Sequence, residues 1–456
     1  MKKVGFISLG CPKNLVDSEV MMGLLQQNGY TLTPQAEEAD VLVVNTCSFI
    51  ESARQESIDT IIEMAELKKS GKAQRLIVAG CMVERYRAEI QSEIPEVDAL
   101  VGLNELERIL GAVTPRGSSP LLPVLPADFF DSTPTAPYLY DHLTPRLLAT
   151  PKYSAYIKIA EGCDLPCTFC IIPTFRGKFR SRRFESVIAE AERLAASGVR
   201  EITLIGQTTT SYGEDLGLKD GLAQLLERLA AVEGLSWVRT LYCYPNRVTP
   251  RLLETIAAHP RLCKYIDMPL QHASAAVLKR MKRGGSGDIF LKLLERIRAT
   301  IPGVSLRTTF IVGFPGETES DFETLCDFVR EAKFDWLGTF PYSDEDRSQS
   351  HQLDAKVPAA VIRQRQRTLM ALQKPISRAR RRAMLGQRLP ILIEGPATES
   401  DLLWQGRLAS QAPDIDGKVL LTEFPDDQPL AAGSFGTVEI TGAQDYDLVG
   451  RVVENS

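Results

Sequence analysis

Short apolar runs, each followed by a helix-like stretch, recur through the first 113 residues. "VGFISLG" (4–10) precedes "NLVDSEVMMGLLQQNG", "VLVVNT" (41–46) precedes "SARQESIDTIIEMAELKKSG", "RLIVAG" (75–80) opens a third unit and "DALVGLNELERIL" supplies a fourth. Such alternation predicts parallel strands joined by crossover helices. It resumes at residue 155, with candidate strands "AYIKIA" (155–160), "EITLIGQ" (201–207), "WVRTLYCYP" (237–245), "YIDMPLQ" (265–271), "LRTTFIVGF" (306–314) and "WLGTFPYS" (336–343). Six βα units predict a partial (β/α)6 barrel with its chemistry at the C-terminal strand ends. Between the two blocks lie Pro115, Pro120, Pro123, Pro126, Pro134, Pro137, Pro145 and Pro151, eight of the chain's 27 prolines, a density typical of a linker. Residues 357–383 read as a basic connecting helix, and the short strands and Gly/Pro/Asp turns that follow predict a small β-barrel. The expected α/β order is an N-terminal parallel α/β domain (1–113), a Pro-rich linker (114–151), a central partial barrel (152–356), the basic helix (357–383) and a C-terminal β-barrel (384–456).

The apolar run behind the two N-terminal lysines is about six residues, too short for the core of a signal peptide. No stretch approaches the roughly 20 apolar residues of a membrane helix. A cytoplasmic chain without a membrane partner is expected. In a reducing compartment, nine cysteines point to metal or catalysis rather than to disulfides. The net charge of −5 does not demand nucleic acid. From residue 384 onward four cations face twelve acids, a net −8. Phosphate would be repelled there, and a basic protein partner would be steered in.

"EGCDLPCTFCIIP" (161–173) carries Cys163, Cys167 and Cys170 with C-x3-C-x2-C spacing, just after the first strand of the second block. Structural zinc sites have four ligands, usually with paired C-x2-C knuckles, and ferredoxin-type runs recruit a fourth cysteine. Three thiolates on four irons leave one iron open, and an open metal position is a reaction site. In the first block Cys11, Cys47 and Cys81 each follow a strand, about 35 residues apart. Strand ends line one edge of an open α/β sheet, where ligands bind, so these three are expected to converge on a second three-thiolate site. Cys243, Cys263 and Cys326 sit in apolar or helical stretches and read as core.

With Phe169 as its aromatic, C-x3-C-x-aromatic-C resembles the signature of radical S-adenosylmethionine (SAM) enzymes. That resemblance implies a 4Fe–4S cluster on Cys163, Cys167 and Cys170, with SAM chelating the unique iron. It also implies one-electron cleavage of SAM to a radical that abstracts hydrogen from an unactivated C–H bond. Taken with the N-terminal triplet and the terminal barrel, the whole chain resembles the methylthiotransferase family. The stretches that carry this are "SLGCPKNLVDSE" (8–19), "VNTCSFI" (44–50), "GQTTTSYG" (206–213), "PLQHAS" (269–274), "VLKRMKR" (277–283) and "TFIVGFPGETE" (309–319). The family implies a second 4Fe–4S cluster on Cys11, Cys47 and Cys81 that holds or supplies sulfur. It implies SAM both as methyl donor and as radical source, an electron donor, a sulfur donor and a C-terminal TRAM domain. "PLQHAS" and "APDIDG" (412–417) resemble the branch that modifies the β-carbon of an aspartate in a basic small-subunit ribosomal protein. The alternatives are the sister branch, which modifies a tRNA adenosine, and a non-catalytic iron–sulfur or zinc carrier.

Smaller motifs carry two readings each. In "VGFPGET" (312–318) Gly313, Pro315 and Gly316 make a turn, or else bring backbone close to SAM. Gln207 stands where other radical SAM enzymes often carry a Gly-Gly-Glu motif for the SAM amino group, and is a candidate contact. "FRGKFRSRR" (175–183) is either a solvated face or a contact for the SAM carboxylate or the substrate. His272 lies at a strand end where substrate should approach, although a lone histidine is more often structural. The basic helix leaves room for a contact with ribosomal RNA.

Overall fold

The computed structural model describes residues 2–114, 138–398, 400–423 and 430–455. It divides into two compact units, one of Met1–Pro151, Tyr156–Asp164 and Ile171–Glu190, the other of Lys152–Ala155, Leu165–Cys170 and Ala191–Ser456.

The first unit begins with β1 (Lys3–Ser8), α1 (Pro12–Gln27), β2 (Thr31–Thr33), β3 (Val41–Thr46), α2 (Glu51–Ser70), β4 (Arg75–Gly80), α3 (Cys81–Glu93), β5 (Ala99–Val101) and α4 (Ile109–Val113). The five strands form one parallel sheet in the order β2-β1-β3-β4-β5. All of β3 is buried, and all of β4 after Arg75. Central parallel strands are covered on both faces, so their sequences read as continuous Val/Leu runs. Leu42, Val44, Ile61, Leu76, Val78, Val83 and Leu100 share one core cluster. β2, three residues at the edge of the sheet, was too short to show as an apolar run.

Most of the expected linker, including Pro115, Pro120, Pro123, Pro126, Pro134 and Pro137, lies outside the described residues. Its described end is anchored rather than loose. Arg146 is 2% exposed along its side chain and pairs with Glu19 of α1 at 2.5 Å and with Glu190 at 2.8 Å. The chain continues through β6 (Ser154–Lys158), β7 (Ala160–Glu161), α5 (Ile172–Arg176), β8 (Arg180–Ser181) and α6 (Phe184–Ala196), with β7 antiparallel to β8.

The second unit holds β9 (Glu201–Ile205), α7 (Gly221–Ala230), β10 (Trp237–Thr240), α8 (Pro250–Ala258), β11 (Tyr265–Asp267), α9 (Ala275–Arg280), α10 (Gly287–Thr300), β12 (Ser305–Val312), α11 (Glu319–Ala332) and β13 (Trp336–Pro341). The strands form two three-stranded sheets, β10-β9-β6 and β11-β12-β13. A parallel bridge from Val238 of β10 to Leu262, just ahead of β11, and Cys243 N–H donating to the Asp267 carbonyl at 2.9 Å link them. Most of the strands stop short of the apolar runs that announced them. "WVRTLYCYP" leaves the sheet after Thr240, and Tyr242 turns to φ 63°.

After β13 comes α12 (Ala359–Arg382), then β14 (Arg388–Ala397), β15 (Ser400–Leu408), β16 (Val419–Glu423), β17 (Phe435–Ala443) and β18 (Leu448–Asn455), which close a barrel in the order β14-β15-β16-β18-β17. Its core is Ile391, Ile393, Leu408, Val419, Leu421, Val438, Ile440, Leu448 and Val452. The barrel packs on the N-terminal strand ends of the central domain. Glu201 opens β9 and binds Arg407 at 2.5 Å; Trp237 opens β10 and meets the Phe435 ring edge-on at 4.9 Å. Tyr265 opens β11 and donates to Asp416 at 2.6 Å; Ser305 and Trp336, opening β12 and β13, both donate to the Ser410 carbonyl, at 3.1 and 3.0 Å.

Several acids of the barrel are engaged in pairs, while Asp414 and Glu423 are exposed. Glu394 pairs with Arg407, Asp416 with Tyr265 and Arg307, Glu439 with Arg388 and Arg451, and Asp445 with Lys374 and Arg378. Asp426 and Asp427 lie outside the described residues. The basic helix α12 carries both buried and exposed cations. Arg365 and Arg381 are buried, the latter with its guanidinium 3.9 Å from the centre of the Trp336 ring. Arg363, Arg367 and Arg382 remain exposed.

Candidate cluster and cofactor sites

The N-terminal cysteines are gathered by strand order and register. Ser8 of β1 stands opposite Asn45 of β3, and Thr46 opposite Gly80 of β4, so the residues that follow these strands emerge side by side. In a sheet of order 2-1-3-4-5 the crevice between β1 and β3 is the topological switch point, where open α/β sheets bind ligands. Cys11 sits at the N-terminus of α1, Cys81 is the first residue of α3, and Cys47 has its N–H bound by Ser57 Oγ at 3.0 Å. Gly10, at φ 88°, allows the closest approach: a Cβ there would lie 2.6 Å from Cys47 Cβ and 3.0 Å from its Sγ. Asn14 and Asn45 lock the loops, through Asn14 Nδ2 to the Leu9 carbonyl at 2.7 Å and Asn45 Nδ2 to the Asn14 carbonyl at 2.9 Å.

The thiols feel one another. Burial pushes Cys81 up to about 12, and the charges of Cys47 and Cys11 add to the rise while Arg176 opposes it. Burial also raises Cys47, with Cys11 adding to it. Burial would raise Cys11 too, but Lys13 and Arg176, with backbone N–H groups of Asn14 and Lys13, hold it below its ordinary value. Cys11 thus raises Cys47, and both raise Cys81; three thiols gathered at one sheet edge, two of them held protonated by burial and by neighbouring sulfur, are a soft donor set that fits an iron–sulfur cluster. Among the described residues no three His, Cys, Asp or Glu side chains converge closely enough for a single metal ion. A four-iron cluster holds its thiolates farther apart than one ion does.

Behind these thiols lies a buried charge network that the sequence reading did not isolate. Arg176 Nη2 donates to Cys81 Sγ at 3.4 Å, while Nη1 reaches both Glu161 oxygens at 2.9 Å. Asp17 Oδ2 lies 3.4 Å from Arg176 Nη2, and Lys158 bridges Asp17 and Glu161. Sequence signals were present: an acid inside the apolar face of α1, and a Lys and a Glu within "AYIKIAEG". The cation run 175–183 splits accordingly. Arg176 and Arg182 are buried, at 4% and 2% exposure, whereas Lys178 and Arg183 are exposed.

The loop with the central triplet is pinned within each unit separately. In the first, Cys163 N–H donates to the Gly177 carbonyl at 3.1 Å. In the second, Cys170 N–H returns to the Cys167 carbonyl at 3.1 Å, Thr168 bonds the carbonyls of Met281 and Arg280, and Arg283 Nη1 lies 3.5 Å from Cys167 Sγ. Phe169 packs against the cluster of Val277, Met281 and Phe314. Gln207 is half-buried at the end of β9. The segment 312–318 is held by Glu317, whose Oε2 accepts from Gly313 N–H at 2.7 Å and Phe314 N–H at 3.2 Å and whose Oε1 accepts from Arg365 of α12 at 2.8 Å. Both glycines have packing reasons of their own, since a Cβ at Gly313 would meet Ile362 at 2.3 Å and one at Gly316 the Arg280 guanidinium at 1.6 Å. Pro315 contributes its carbonyl to Arg280 at 3.2 Å. His272 is fully buried; Nδ1 accepts from Ser274 N–H at 3.0 Å and Nε2 lies 3.6 Å from Glu317. Glu317, which it approaches, is the residue that holds this segment.

Known proteins resemble the chain along its whole length. Family models match residues 3–102 (an uncharacterised family, UPF0004), 157–329 (the radical SAM superfamily) and 385–453 (the TRAM domain). A ribosomal protein uS12 methylthiotransferase, RimO, from Koribacter versatilis is 58% identical over 486 residues, covering 99% of this chain and 96% of its own. Its counterpart from Solibacter usitatus is 61% identical over 453 residues, covering 99% and 95%. This chain belongs to the ribosomal protein uS12 methylthiotransferase family. A more distant methylthiotransferase of the same name, from Desulforamulus reducens, is 45% identical with both chains fully covered. Among solved structures a radical SAM methyltransferase, TsrM, from Kitasatospora setae aligns at TM-score 0.51 over 75% of each chain with 14% identity, a likeness of fold alone. The methylthiotransferase chain has, among its described residues, no helix long and apolar enough to cross a membrane.

Proposed function

We propose that this chain is a radical SAM enzyme that transfers a methylthio group to ribosomal protein uS12, at the β-carbon of an aspartate. The observation that carries this reading is identity of 45% to 61% with uS12 methylthiotransferases over nearly the full length of both partners. Two three-cysteine sets, one on the N-terminal sheet edge and one on the loop 163–170, support two 4Fe–4S clusters. Cys163, Cys167 and Cys170 hold the one that binds SAM, and Cys11, Cys47 and Cys81 hold the one that handles sulfur. When bound, cluster and SAM supply the one-electron chemistry that activates a C–H bond.

The residues of this chain prepare that chemistry. Thr168 and Arg283 fix the central loop, and Arg283 places a positive charge beside Cys167. Glu317, gripped by Arg365, keeps the segment with Gly313, Pro315 and Gly316 in one shape at the C-terminal end of β12. Phe169, Gln207, Gly313, Pro315 and Gly316 are the contacts we assign to SAM. An electron donor and a sulfur donor complete the reaction, and the exposed arginines of α12 are available to ribosomal RNA around the substrate. Mass spectrometry of uS12 and of tRNA from a strain lacking the gene tests the reading. Loss of the methylthio group from uS12 alone supports it, and loss from a tRNA adenosine instead points to the sister activity.

A further inference from the structure

We propose that Arg176 is a positioning residue of the N-terminal thiolate site, a fixed cation that hydrogen-bonds sulfur and raises the reduction potential of the cluster held there. The inference rests on reading Cys11, Cys47 and Cys81 as the ligands of that cluster. Arg176 belongs to α5, just beyond the central cysteine loop, and not to the sheet that carries the three cysteines. One edge of its guanidinium grips Glu161, with 2.9 Å to each oxygen, and the other turns to Cys81 Sγ at 3.4 Å. Asp17 stands 3.4 Å from the nitrogen that faces sulfur, and Lys158 ties Asp17 to Glu161, so two acids and two cations form one buried, charge-balanced frame.

Here one donor faces sulfur, and the planar fork of arginine serves both directions at once, which a lysine does less well. Reduction adds negative charge to a cluster. A buried cation and an N–H···S bond favour the reduced form, and hydrogen bonds to sulfur and net charge are the established levers on cluster potential.

The test uses the full-length Cys163→Ala/Cys167→Ala/Cys170→Ala chain, reconstituted anaerobically so that only the N-terminal cluster is present. Iron content and the midpoint potential, read by redox titration with electron paramagnetic resonance, are compared with and without Arg176→Gln and Arg176→Lys. The expected result is unchanged iron in all three, a more negative potential with Gln, and recovery of most of that shift with Lys. An unchanged potential in Arg176→Gln overturns the inference. So does loss of iron from either Arg176 variant, which assigns the residue to structure alone. If the parent triple variant takes up no iron at all, the ligand reading of Cys11, Cys47 and Cys81 has failed, and the inference with it.

Discussion

Arg407 of the terminal barrel and Glu201 of the central domain meet at 2.5 Å with both side chains buried. Arg239 at 3.3 Å and Ser154 at 3.1 Å complete the shell around the carboxylate. Removing one partner of such a pair strands the other charge in a dry site. Arg407→Ala should therefore cost about 3–5 kcal/mol, measured as a lower urea midpoint of the full-length chain.

The same contact makes the seam acid-sensitive. Burial pushes the Glu201 carboxyl up, but Arg407, then Arg239 and Ser154, overcome it and hold it at about 2. A carboxylate depressed in the folded state stabilises the fold fully above its unfolded value, about 4.3. That contribution fades as pH falls from there toward 2. The wild-type urea midpoint should drop through this window, and the drop should be smaller in Glu201→Gln, whose amide does not titrate.

Glu317 and Arg365 set the shape of the segment we assign to SAM. Arg365→Ala frees Glu317 Oε1 and loosens Gly313 and Phe314 without touching a cysteine. Loss of a charge-assisted bond of about 1.5 kcal/mol corresponds to roughly tenfold weaker SAM binding. Equilibrium binding to the reconstituted enzyme should show that loss at unchanged iron content, and equal affinity would detach the segment from SAM.

The two cysteine sets separate by what each removes. Cys163→Ala, Cys167→Ala or Cys170→Ala should abolish formation of 5′-deoxyadenosine under dithionite. Cys11→Ala, Cys47→Ala or Cys81→Ala should remove roughly half of the iron, keep SAM cleavage measurable and lose methylthio transfer. Methylthio transfer at full rate by a Cys47→Ala chain would deny the N-terminal set a part in the reaction.

Gly10→Ala tests the geometry of that site without deleting a ligand. The new Cβ falls 2.6 Å from Cys47 Cβ in a backbone at φ 88°. Strain of about 1–3 kcal/mol is expected, taken up by displacement of Cys47. Iron at the N-terminal site should fall while far-ultraviolet circular dichroism stays that of the wild type.

Much of this molecule was legible in its residues, because periodicity and spacing report what lies within one element or one loop. The Val/Leu runs announced β3 and β4, and three cysteines placed after three strands announced a shared edge. Charge was harder to read. A count cannot tell a solvated acid from Asp416, buried against Tyr265 and Arg307, nor a solvated cation from Arg176 at Cys81. These pairs join residues 95 to 151 positions apart, and no local pattern encodes them; Arg407 and Glu201 are farther still, at 206. β2 escaped for a different reason, since three residues at a sheet edge have too little periodicity to detect.

The register that brings Cys11, Cys47 and Cys81 side by side bears on how the protein matures. Cysteines that follow three separate strands are scattered in the nascent chain, because closing loops of about 35 residues costs entropy that only the paired sheet repays. The cluster proposed for the N-terminal site would then be taken up only after its domain has folded. Cys163, Cys167 and Cys170 share eight residues of one loop, so iron delivery there need not wait for the fold. On the proposed assignment the two sites would fill at different stages of biogenesis, and a chain starved of iron during synthesis should regain the N-terminal cluster from its folded form.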